Sequence, residues 1–373
     1  MNGVAGPRRV LVCTNQLRHI RGSELVTLEL VEQFLSRGAT VDVANNLYLP
    51  PMSSEFEALE GHDRLFVATD PYHEFIGPYD LIWVQHSVLP DSVIEQLAGP
   101  GVSSAVVWHH MSAQVHMELP VLADVETEIA DVSTAVSPEV AETLSAFGLS
   151  RRRLAVFDNP APDAFAEAVV TRNGETLERL LVVSNHPPEE VLAATDLLRD
   201  RGQVQVDVLG EVTGVTRVSP RLLAGYDAVL SIGKTVQYAL SMGLPCYVYD
   251  HFGGRGWLTS EGFEDELHWN FSGRATRRRV TAAAIADELV TGFPEASRFA
   301  RSRRSAHAAR WRLSSRVDAL LDSRHLRRPR TKRLTRAQAN RWSAFTELHR
   351  GLYRTLEYYK DELARVTATA ARG

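Results

Sequence analysis

Residues 226–258 of this 373-residue chain read YDAVLSIGKTVQYALSMGLPCYVYDHFGGRGWL, in which apolar runs alternate with glycines. The pattern predicts a strand over 228–232, a turn at Gly233, a helix over 235–242 capped by Gly243, a strand over 244–249 and a glycine-rich loop over 250–256. The first N–H groups of a helix have no partner within it, so the start of this helix is a candidate anion site. Lys234 adds a positive charge there. The alternative on spacing alone is an ordinary βαβ unit with a surface lysine.

This stretch resembles the donor-nucleotide segment of GT-B glycosyltransferases, whose pattern is roughly G-[RK]-T-x-x-E-A-L-x-x-G-x-P-V. The matching residues are Gly233, Lys234, Thr235, Ala239, Leu240, Gly243 and Pro245. The resemblance implies that the glycine turn and the helix start bind the diphosphate of a nucleotide-sugar. It also implies a glutamate on the ribose hydroxyls, but Tyr238 occupies that position here, after Gln237. A phenol can hydrogen-bond a ribose but is not a bidentate anionic acceptor.

A second segment, residues 132–162, reads VSTAVSPEVAETLSAFGLSRRRLAVFDNPAP. Its Ser-Pro-Glu at 137–139 predicts a helix start, with a serine N-cap, a proline at the first helical position and an acid in the first turn. The segment resembles the stretch before the interdomain linker of GT-B enzymes. Asn159 stands at the position of that family's asparagine, and Pro160 replaces the glycine that usually follows.

The chain opens with a predicted strand over 9–14, a polar loop over 15–22, a helix over 23–36 and a strand over 40–44. Ser23 is the expected N-cap of the helix. This βαβ unit lacks a G-x-G-x-x-G dinucleotide fingerprint and resembles the N-terminal unit of GT-B transferases. The resemblance implies an acceptor-side loop at Arg21, Gly22 and Ser23, and the alternative is an ordinary solvated loop.

Polar residues follow the next predicted strands, over 64–68, 81–85 and 104–108. His86 follows the second of these strands, and His109 and His110 follow the third. Ligands of open α/β sheets lie at the carboxyl ends of strands, so these histidines are candidates for a site. The adjacent pair resembles the histidine that contacts the donor sugar in many retaining GT-B enzymes. One of the two is alternatively a base for an inverting mechanism.

The loop predicted over 250–257 combines Asp250, Arg255 and Trp257 with three glycines. An arginine in a glycine-rich loop suits a phosphate or sugar contact, and a tryptophan can stack on a pyranose or a base. The alternative is a flexible loop with its tryptophan in the core. Residues 269–274, WNFSGR, are unusual in composition, but no mechanism follows from them.

The net charge of −5 is unevenly distributed along the chain. Residues 274–373 hold 24 Lys+Arg and 9 Asp+Glu, a net charge of +15, and the rest of the chain has a net charge of −20. Residues 323–336 hold seven cations and no acid, which predicts contact with a membrane surface or a polyanion. The alternative is that the segment lies against the acidic body. A 3–4 spacing of apolar residues predicts a helix over 340–365 that packs on the body, pairs with a second copy or lies on a membrane.

Composition is that of a soluble globular chain long enough for two domains. Cys13 and Cys246 fall in predicted strands, which indicates small buried side chains and not a disulfide or a metal site. No signal peptide and no membrane-spanning run is visible in the sequence. We therefore expect a cytoplasmic protein, with peripheral contact at the inner membrane face as an option.

These features predict an α/β protein of GT-B fold, with two Rossmann-like α/β/α domains facing a cleft and a C-terminal helical extension. The predicted parts are an N-terminal acceptor-side domain over 1–160, a linker over 161–177, a nucleotide-sugar-binding domain over 178–322, and a basic linker and amphipathic helix over 323–373.

The resemblance implies a glycosyltransferase that moves a sugar from a UDP- or GDP-linked donor to a hydroxyl acceptor, without a metal, a cofactor or nucleic acid. The implied donor-binding residues are Gly233, Lys234, Thr235, Gln237, Tyr238, Asp250 and Arg255. His109 or His110 is expected at the reacting sugar. Two alternatives remain: a sugar-nucleotide epimerase on the same fold, and a non-catalytic transferase-like binding or scaffold subunit, which the tyrosine at 238 favours.

Overall fold

The computed structural model describes residues 6–70, 72–99, 103–168, 170, 175–210 and 216–370. Contacts divide the chain into two compact units. Unit 1 comprises Met1–Thr134, Thr143–Ala155 and Asp322–Gly373, and unit 2 comprises Ala135–Glu142 and Val156–Leu321. The C-terminal stretch, which the sequence analysis treated as a separate part, belongs to unit 1. Residues 169 and 171–174 of the predicted linker lie outside the described residues.

Unit 1 is built on a seven-stranded sheet in the order β3-β2-β1-β4-β5-β6-β7. Its strands are β1 (Arg9–Cys13), β2 (Thr40–Ala44), β3 (Leu65–Val67), β4 (Leu81–Gln85), β5 (Ala105–His110), β6 (Val132–Ala135) and β7 (Leu154–Val156). Its helices are α1 (Gly22–Ser36), α2 (Met52–Glu57), α3 (Asp91–Ala98), α4 (Ala123–Ile129), α5 (Pro138–Ala146, which begins in unit 2), α13 (Arg324–Arg327) and α14 (Arg336–Ala370).

The strand order of unit 1 reverses between β1 and β4, which pair in parallel. β1 also pairs in parallel with β2, and β4 with β5. The apolar side chains of β1 and β4 are buried on both faces of the sheet, as parallel strands covered by helices require. In such sheets a ligand binds at the carboxyl ends of the strands where the order reverses. The residues that follow Cys13 and Gln85 are therefore candidates for a ligand site in unit 1.

Unit 2 is built on a five-stranded sheet in the order β12-β11-β10-β8-β9. Its strands are β8 (Arg179–Val183), β9 (Gln205–Leu209), β10 (Ala228–Ser231), β11 (Cys246–Asp250) and β12 (Gly253–Trp257). Its helices are α6 (Asp163–Glu167), α7 (Glu189–Asp200), α8 (Pro220–Leu223), α9 (Lys234–Met242), α10 (Phe263–His268), α11 (Ala282–Trp311) and α12 (Leu313–Leu321). The pairs β8–β9, β8–β10 and β10–β11 are parallel, so the order reverses between β8 and β10.

The predicted fold class is confirmed: the described chain contains two α/β units with sheets of Rossmann type and a long C-terminal helix. The strands predicted over 40–44 and 81–85 have the observed bounds. The predicted N-cap of α5 is also confirmed, because the Ser137 hydroxyl accepts a hydrogen bond from the Val140 N–H at 3.3 Å. None of the described helices combines the length and the apolar character needed to cross a bilayer.

Two differences from the predicted segments affect site residues. The glycine-rich loop predicted over 250–256 is partly strand β12, which pairs antiparallel with β11. A Cβ on Gly254 would lie 2.0 Å from the Val248 carbonyl oxygen, so the glycine permits this close strand approach. The strand predicted to end at 108 continues through His109 and His110, because the polar side chains find partners within the fold.

Helix α14 packs on unit 1 through one face. The indole of Trp342 is buried, its ring centroid lies 5.3 Å from that of Trp108, and its N–H donates to the Leu89 carbonyl at 3.0 Å. Farther along, the guanidinium of Arg18 pairs with the carboxylate of Glu357 at 3.0 Å and also with that of Asp361. The helix is thereby held against the loop that follows β1.

The basic segment before α14 is partly used inside unit 1. The ammonium of Lys332 is buried against the carboxylate of Asp131 at 2.5 Å. The Arg330 side chain donates to the carbonyls of Thr127 and Ala130 at 2.7 and 2.8 Å. These contacts support the alternative in which the cations neutralise the acidic body, and contact with a membrane surface or a polyanion stays a prediction.

Candidate functional site

The start of helix α9 lies at the point where the strand order of unit 2 reverses. Gly233 joins β10 to α9 with φ 56° and ψ −131°, a backbone conformation that side-chain-bearing residues rarely adopt. Its N–H donates to the Phe271 carbonyl at 3.0 Å, which ties the turn to the segment after α10. The next backbone N–H groups, of Lys234 and Thr235, begin the helix at the carboxyl edge of the sheet.

Lys234 lies at this helix start, but its side chain is buried. The ammonium donates to the Pro160 carbonyl at 2.9 Å and lies 5.1 Å from the centre of the Tyr238 ring. The positive charge therefore stays near the predicted anion site while its hydrogen bond ties α9 to residue 160. The lysine has a structural role that the sequence analysis did not foresee.

Tyr238 lies in the apolar core of unit 2. Its ring stacks on that of Phe165 with centroids 4.3 Å apart and planes at 7°, and the residue is 1 % exposed. A ring stacked on Phe165 inside the apolar cluster contributes packing. We therefore leave Tyr238 out of the site that is proposed below.

Gln237, one residue earlier, belongs to a cluster of side-chain amides. The Oδ1 atom of Asn270 accepts from the side-chain amides of Gln237 and Asn159, both at 3.1 Å. Asn270 and Phe271 have positive φ angles of 53° and 50°, an uncommon conformation for non-glycine residues that is found more often at functional sites. Sequence reasoning missed Asn270, and its only signal was the unusual WNFSGR composition of residues 269–274.

Two other predicted donor residues, Asp250 and Arg255, contact other side chains and not this amide cluster. Asp250 ends β11 at the carboxyl edge of the sheet, and its carboxylate lies 3.3 Å from the His251 ring. Arg255 projects from β12 and pairs with the carboxylate of Asp265 at 3.1 Å. Its Nε lies 3.8 Å from a carboxylate oxygen of the buried Glu266, and burial raises the pKa of Glu266 to about 7.

In unit 1, His86 lies directly after β4, where the strand order reverses, with a φ angle of 54°. Its Nδ1 accepts from the Asn15 N–H at 3.3 Å, which leaves the proton on Nε2. That atom lies 3.2 Å from the carboxylate of Glu118. Burial lowers the pKa of His86, with Glu118 opposing the shift, so the ring is held neutral.

His110 is the charged member of the same network. Its Nδ1 faces the carbonyl of Glu118, and its Nε2 lies 3.0 Å from the carboxylate of Glu126. Both partners are acceptors, so both ring nitrogens carry protons. Burial alone would lower the pKa of His110, but the charge of Glu126 and the hydrogen bonds to Glu126 and Glu118 raise it overall. His110 therefore supplies a fixed positive charge and is unsuited to act as a base.

His109 differs from its neighbour in its hydrogen-bond partners. Its Nδ1 lies 2.9 Å from the hydroxyl of Thr134, which itself donates to the Trp108 carbonyl at 3.4 Å. The Thr134 oxygen therefore accepts from Nδ1–H, and the lone pair of His109 lies on Nε2. The ring packs on Trp83, with centroids 5.4 Å apart. Of the two predicted histidines, only His109 has the tautomer of a base.

The predicted acceptor-side loop is partly helical. Helix α1 begins at Gly22, so Arg21 is its N-cap and Ser23 lies in the first turn without capping it. No described side chain caps the helix, and the carboxylate of Glu24 in its first turn instead accepts from the N–H groups of the loop residues Arg18 and His19 at 3.0 and 2.7 Å. The predicted N-cap at Ser23 is therefore wrong, because the helix begins one residue earlier, at Gly22, and Ser23 already lies inside its first turn. Burial raises the pKa of Glu24 to about 7.

No protein-family model matches the chain, and no curated protein matches it in sequence. Among solved structures, Anabaena HepE in complex with UDP and glucose is 14 % identical, with a TM-score of 0.56 over 84 % of this chain and 98 % of HepE. HepE in complex with UDP-glucose gives 13 % identity and a TM-score of 0.55 over the same shares. A UDP-N-acetylglucosamine 2-epimerase gives 14 % identity and a TM-score of 0.47 over 84 % of this chain and 95 % of that one. The likeness to HepE identifies this chain as a protein of GT-B fold.

Proposed function

We propose that this protein is a glycosyltransferase that moves a sugar from a nucleoside diphosphate sugar to a hydroxyl acceptor. The observation that carries the proposal is the glycine start of α9 at the carboxyl edge of unit 2, where the strand order reverses. The fold is like that of HepE, whose crystal structures hold UDP and UDP-glucose. A uridine diphosphate sugar is therefore the first donor to test, and a guanosine diphosphate sugar the second.

In this proposal the diphosphate lies at the start of α9. The backbone N–H groups of Lys234 and Thr235 and the nearby ammonium would stabilise the charge that develops on the leaving diphosphate. Gln237 and Asn270 offer amide groups for hydroxyls of the donor, and Asp250 offers a carboxylate at the same edge. No metal or other cofactor takes part in this scheme.

Unit 1 would supply the chemistry at the acceptor. His109 is buried in this structure, and as a base it would accept a proton through Nε2 from an acceptor hydroxyl that reaches its ring. His110 holds a positive charge one residue away, bound by Glu126. We assign the two histidines different roles, one as a base and the other as a structural group that is held by Glu126 and Glu118.

The test is a thermal-shift panel of the purified protein with UDP, GDP, ADP, TDP and CMP and with their sugar conjugates. A ligand at 100 times its dissociation constant adds about 2.7 kcal/mol to the free energy of unfolding if it binds only the folded state. We expect one diphosphate to raise the unfolding temperature clearly. Thr235→Val removes a hydroxyl at the helix start and should bind that diphosphate about tenfold more weakly. Thr291→Val, the same change in α11, is the matched control and should bind normally.

Two results would contradict this proposal. If no nucleotide changes the unfolding temperature of the folded protein, the non-catalytic binding or scaffold hypothesis replaces it. If a sugar nucleotide is converted to its epimer without any acceptor, the epimerase hypothesis replaces it. Product analysis with and without acceptor separates the second case, because transfer to a hydroxyl needs the acceptor and epimerisation does not.

A further inference from the structure

Helix α14 carries an exposed apolar stripe that its packing on unit 1 does not use. The stripe consists of six side chains, each between 51 and 68 % exposed: Leu348, Leu352, Leu356, Tyr359, Leu363 and Val366. Single exposed apolar residues are common, but six in one row on a helix form a contiguous patch of the kind that marks an interaction site.

The stripe has the spacing of a coiled-coil seam. From Leu352 to Val366 the steps along the sequence are 4, 3, 4 and 3 residues, which is the alternation of a heptad repeat. At about 100° per residue, the stripe lies roughly 110° around the helix from the face that docks on unit 1. That docked face contains Trp342, Thr346 and Glu357, all of which are buried.

We propose that this stripe binds the same stripe of a second copy of the protein, so that two α14 helices form a short coiled coil between protomers. Three heptads are marginal for isolated peptides, since such peptides must also form the helix. Here the helix is already fixed by Trp342 and by the ion pairs of Arg18 with Glu357 and Asp361. The ordering cost is thereby lowered before the two copies meet.

The exposed area is adequate for such an interface. If each of the six side chains buries about 100 Å², two copies bury about 1,200 Å² together, which is the lower end of the range for specific interfaces. Tyr359 at the centre adds an aromatic side chain of the kind that is enriched at interface cores.

The charges around the stripe favour a protein partner over a lipid surface. Within residues 344–367 the acids are Glu347, Glu357, Asp361 and Glu362, and the bases are Arg350, Arg354, Lys360 and Arg365. Helices that lie on anionic membranes carry an excess of lysine and arginine on their polar face. Four acids against four bases give no such excess, whereas identical helices of zero net charge do not repel each other.

The experiment is sedimentation equilibrium of the full chain from about 1 to 100 µM, across the concentrations at which weak and moderate dimers dissociate. We expect a mass approaching twice the 41.4 kDa of the chain. The double variant Leu352→Glu with Leu363→Glu places charges in the seam and should be monomeric. The matched control, Ala344→Glu with Gly351→Glu, adds the same charges at exposed positions of α14 outside the stripe and should remain dimeric.

Circular dichroism and the unfolding temperature of both variants show whether each is folded. A monomeric wild-type protein over the whole concentration range would overturn the proposal. A dimer that persists in the folded stripe variant would overturn it too, because the interface would lie elsewhere. If the wild type is monomeric and floats with phosphatidylcholine vesicles while the stripe variant does not, a lipid surface is the occupant and the second copy is excluded.

Discussion

At the scale of single residues, several side chains combine a structural role with their predicted chemistry. Lys234 is the clearest case, because its ammonium both places charge at the start of α9 and bonds the Pro160 carbonyl. Tyr238 has a structural role alone. Its position in the sequence matches that of a residue that binds ribose in GT-B enzymes, but its ring stacks on Phe165 in the core.

Replacing Lys234 with methionine keeps the length of the side chain and removes its donor. We expect a loss of about 1–3 kcal/mol in the free energy of unfolding, because the buried Pro160 carbonyl is left without its partner. Urea unfolding measures this loss. The donor proposal also requires weaker UDP binding at temperatures where the variant is folded, and unchanged UDP affinity would remove the lysine from the donor site.

Replacing Tyr238 with phenylalanine tests the packing role of this ring. Stacking on Phe165 needs only the ring, so nucleotide affinity should stay within about twofold of the wild type. Tyr238→Ala should cost about 3–5 kcal/mol of stability, because it leaves a cavity in the core. Calorimetric titration of Tyr238→Phe measures the nucleotide affinity. An affinity about ten times weaker than that of the wild type would mean that the hydroxyl contacts the ligand.

Glu24 and Glu266 are both buried carboxyl groups whose pKa is raised to about 7. Unfolding returns each pKa to about 4.5, so between these values the folded state binds more protons than the unfolded state. The free energy of unfolding should therefore fall as pH rises from 4.5 to 7, by at most about 1.4 kcal/mol per pH unit for each group.

Denaturant unfolding at several pH values measures that slope. Glu24→Gln or Glu266→Gln alone should reduce it, and the double variant should reduce it further, since glutamine does not titrate. Glu362→Gln is the surface control and should leave the slope unchanged. A double variant with the wild-type slope would show that these two groups do not titrate in this range.

At the scale of elements, α14 shows how one helix can be fixed by a few side chains. The apolar spacing predicts the helix, and the structure adds that Trp342 anchors its first turns on Trp108 and Leu89. Farther along, Arg350 donates to the side chain of Asn46 at 3.2 Å, and the ion pairs to Arg18 contribute less than the buried anchor because they are partly exposed.

Replacing Trp342 with alanine should cost about 3–5 kcal/mol and increase hydrogen exchange of the first turns of α14 more than that of the parallel strands. Hydrogen exchange followed by mass spectrometry measures both effects. Tyr358→Ala, an exposed aromatic on the same helix, is the matched control and should change neither. Uniform protection in the tryptophan variant would mean that α14 has another anchor.

At the scale of the whole molecule, the predicted tasks divide between two units with separate sheets. The start of α9 and the amide cluster belong to unit 2, while His109, His110 and their carboxylates belong to unit 1. In unit 2 the start of α9 lies where the strand order reverses, whereas in unit 1 His86 follows β4 at the reversal and His109 and His110 end the neighbouring strand β5.

This division predicts that the two activities separate by mutation. His109→Asn should leave UDP affinity within about twofold of the wild type and lower the rate of transfer by at least about a hundredfold, since it removes the base alone. Binding is measured by calorimetric titration, and transfer by release of UDP in the presence of acceptor. An unchanged transfer rate would exclude His109 as the base.

The sequence by itself determined the two α/β units, the glycine start of α9 and the amphipathic C-terminal helix. These follow from local patterns, because apolar runs, glycine turns and a 3–4 spacing report on neighbouring residues of the chain. The tertiary structure alone decided that Tyr238 is core, that Asn270 meets Gln237, and that both ring nitrogens of His110 face acceptors while Nδ1 of His109 faces the Thr134 hydroxyl. Each of these depends on partners distant in sequence, and the protonation of a buried ring depends on which acceptors the fold places against it.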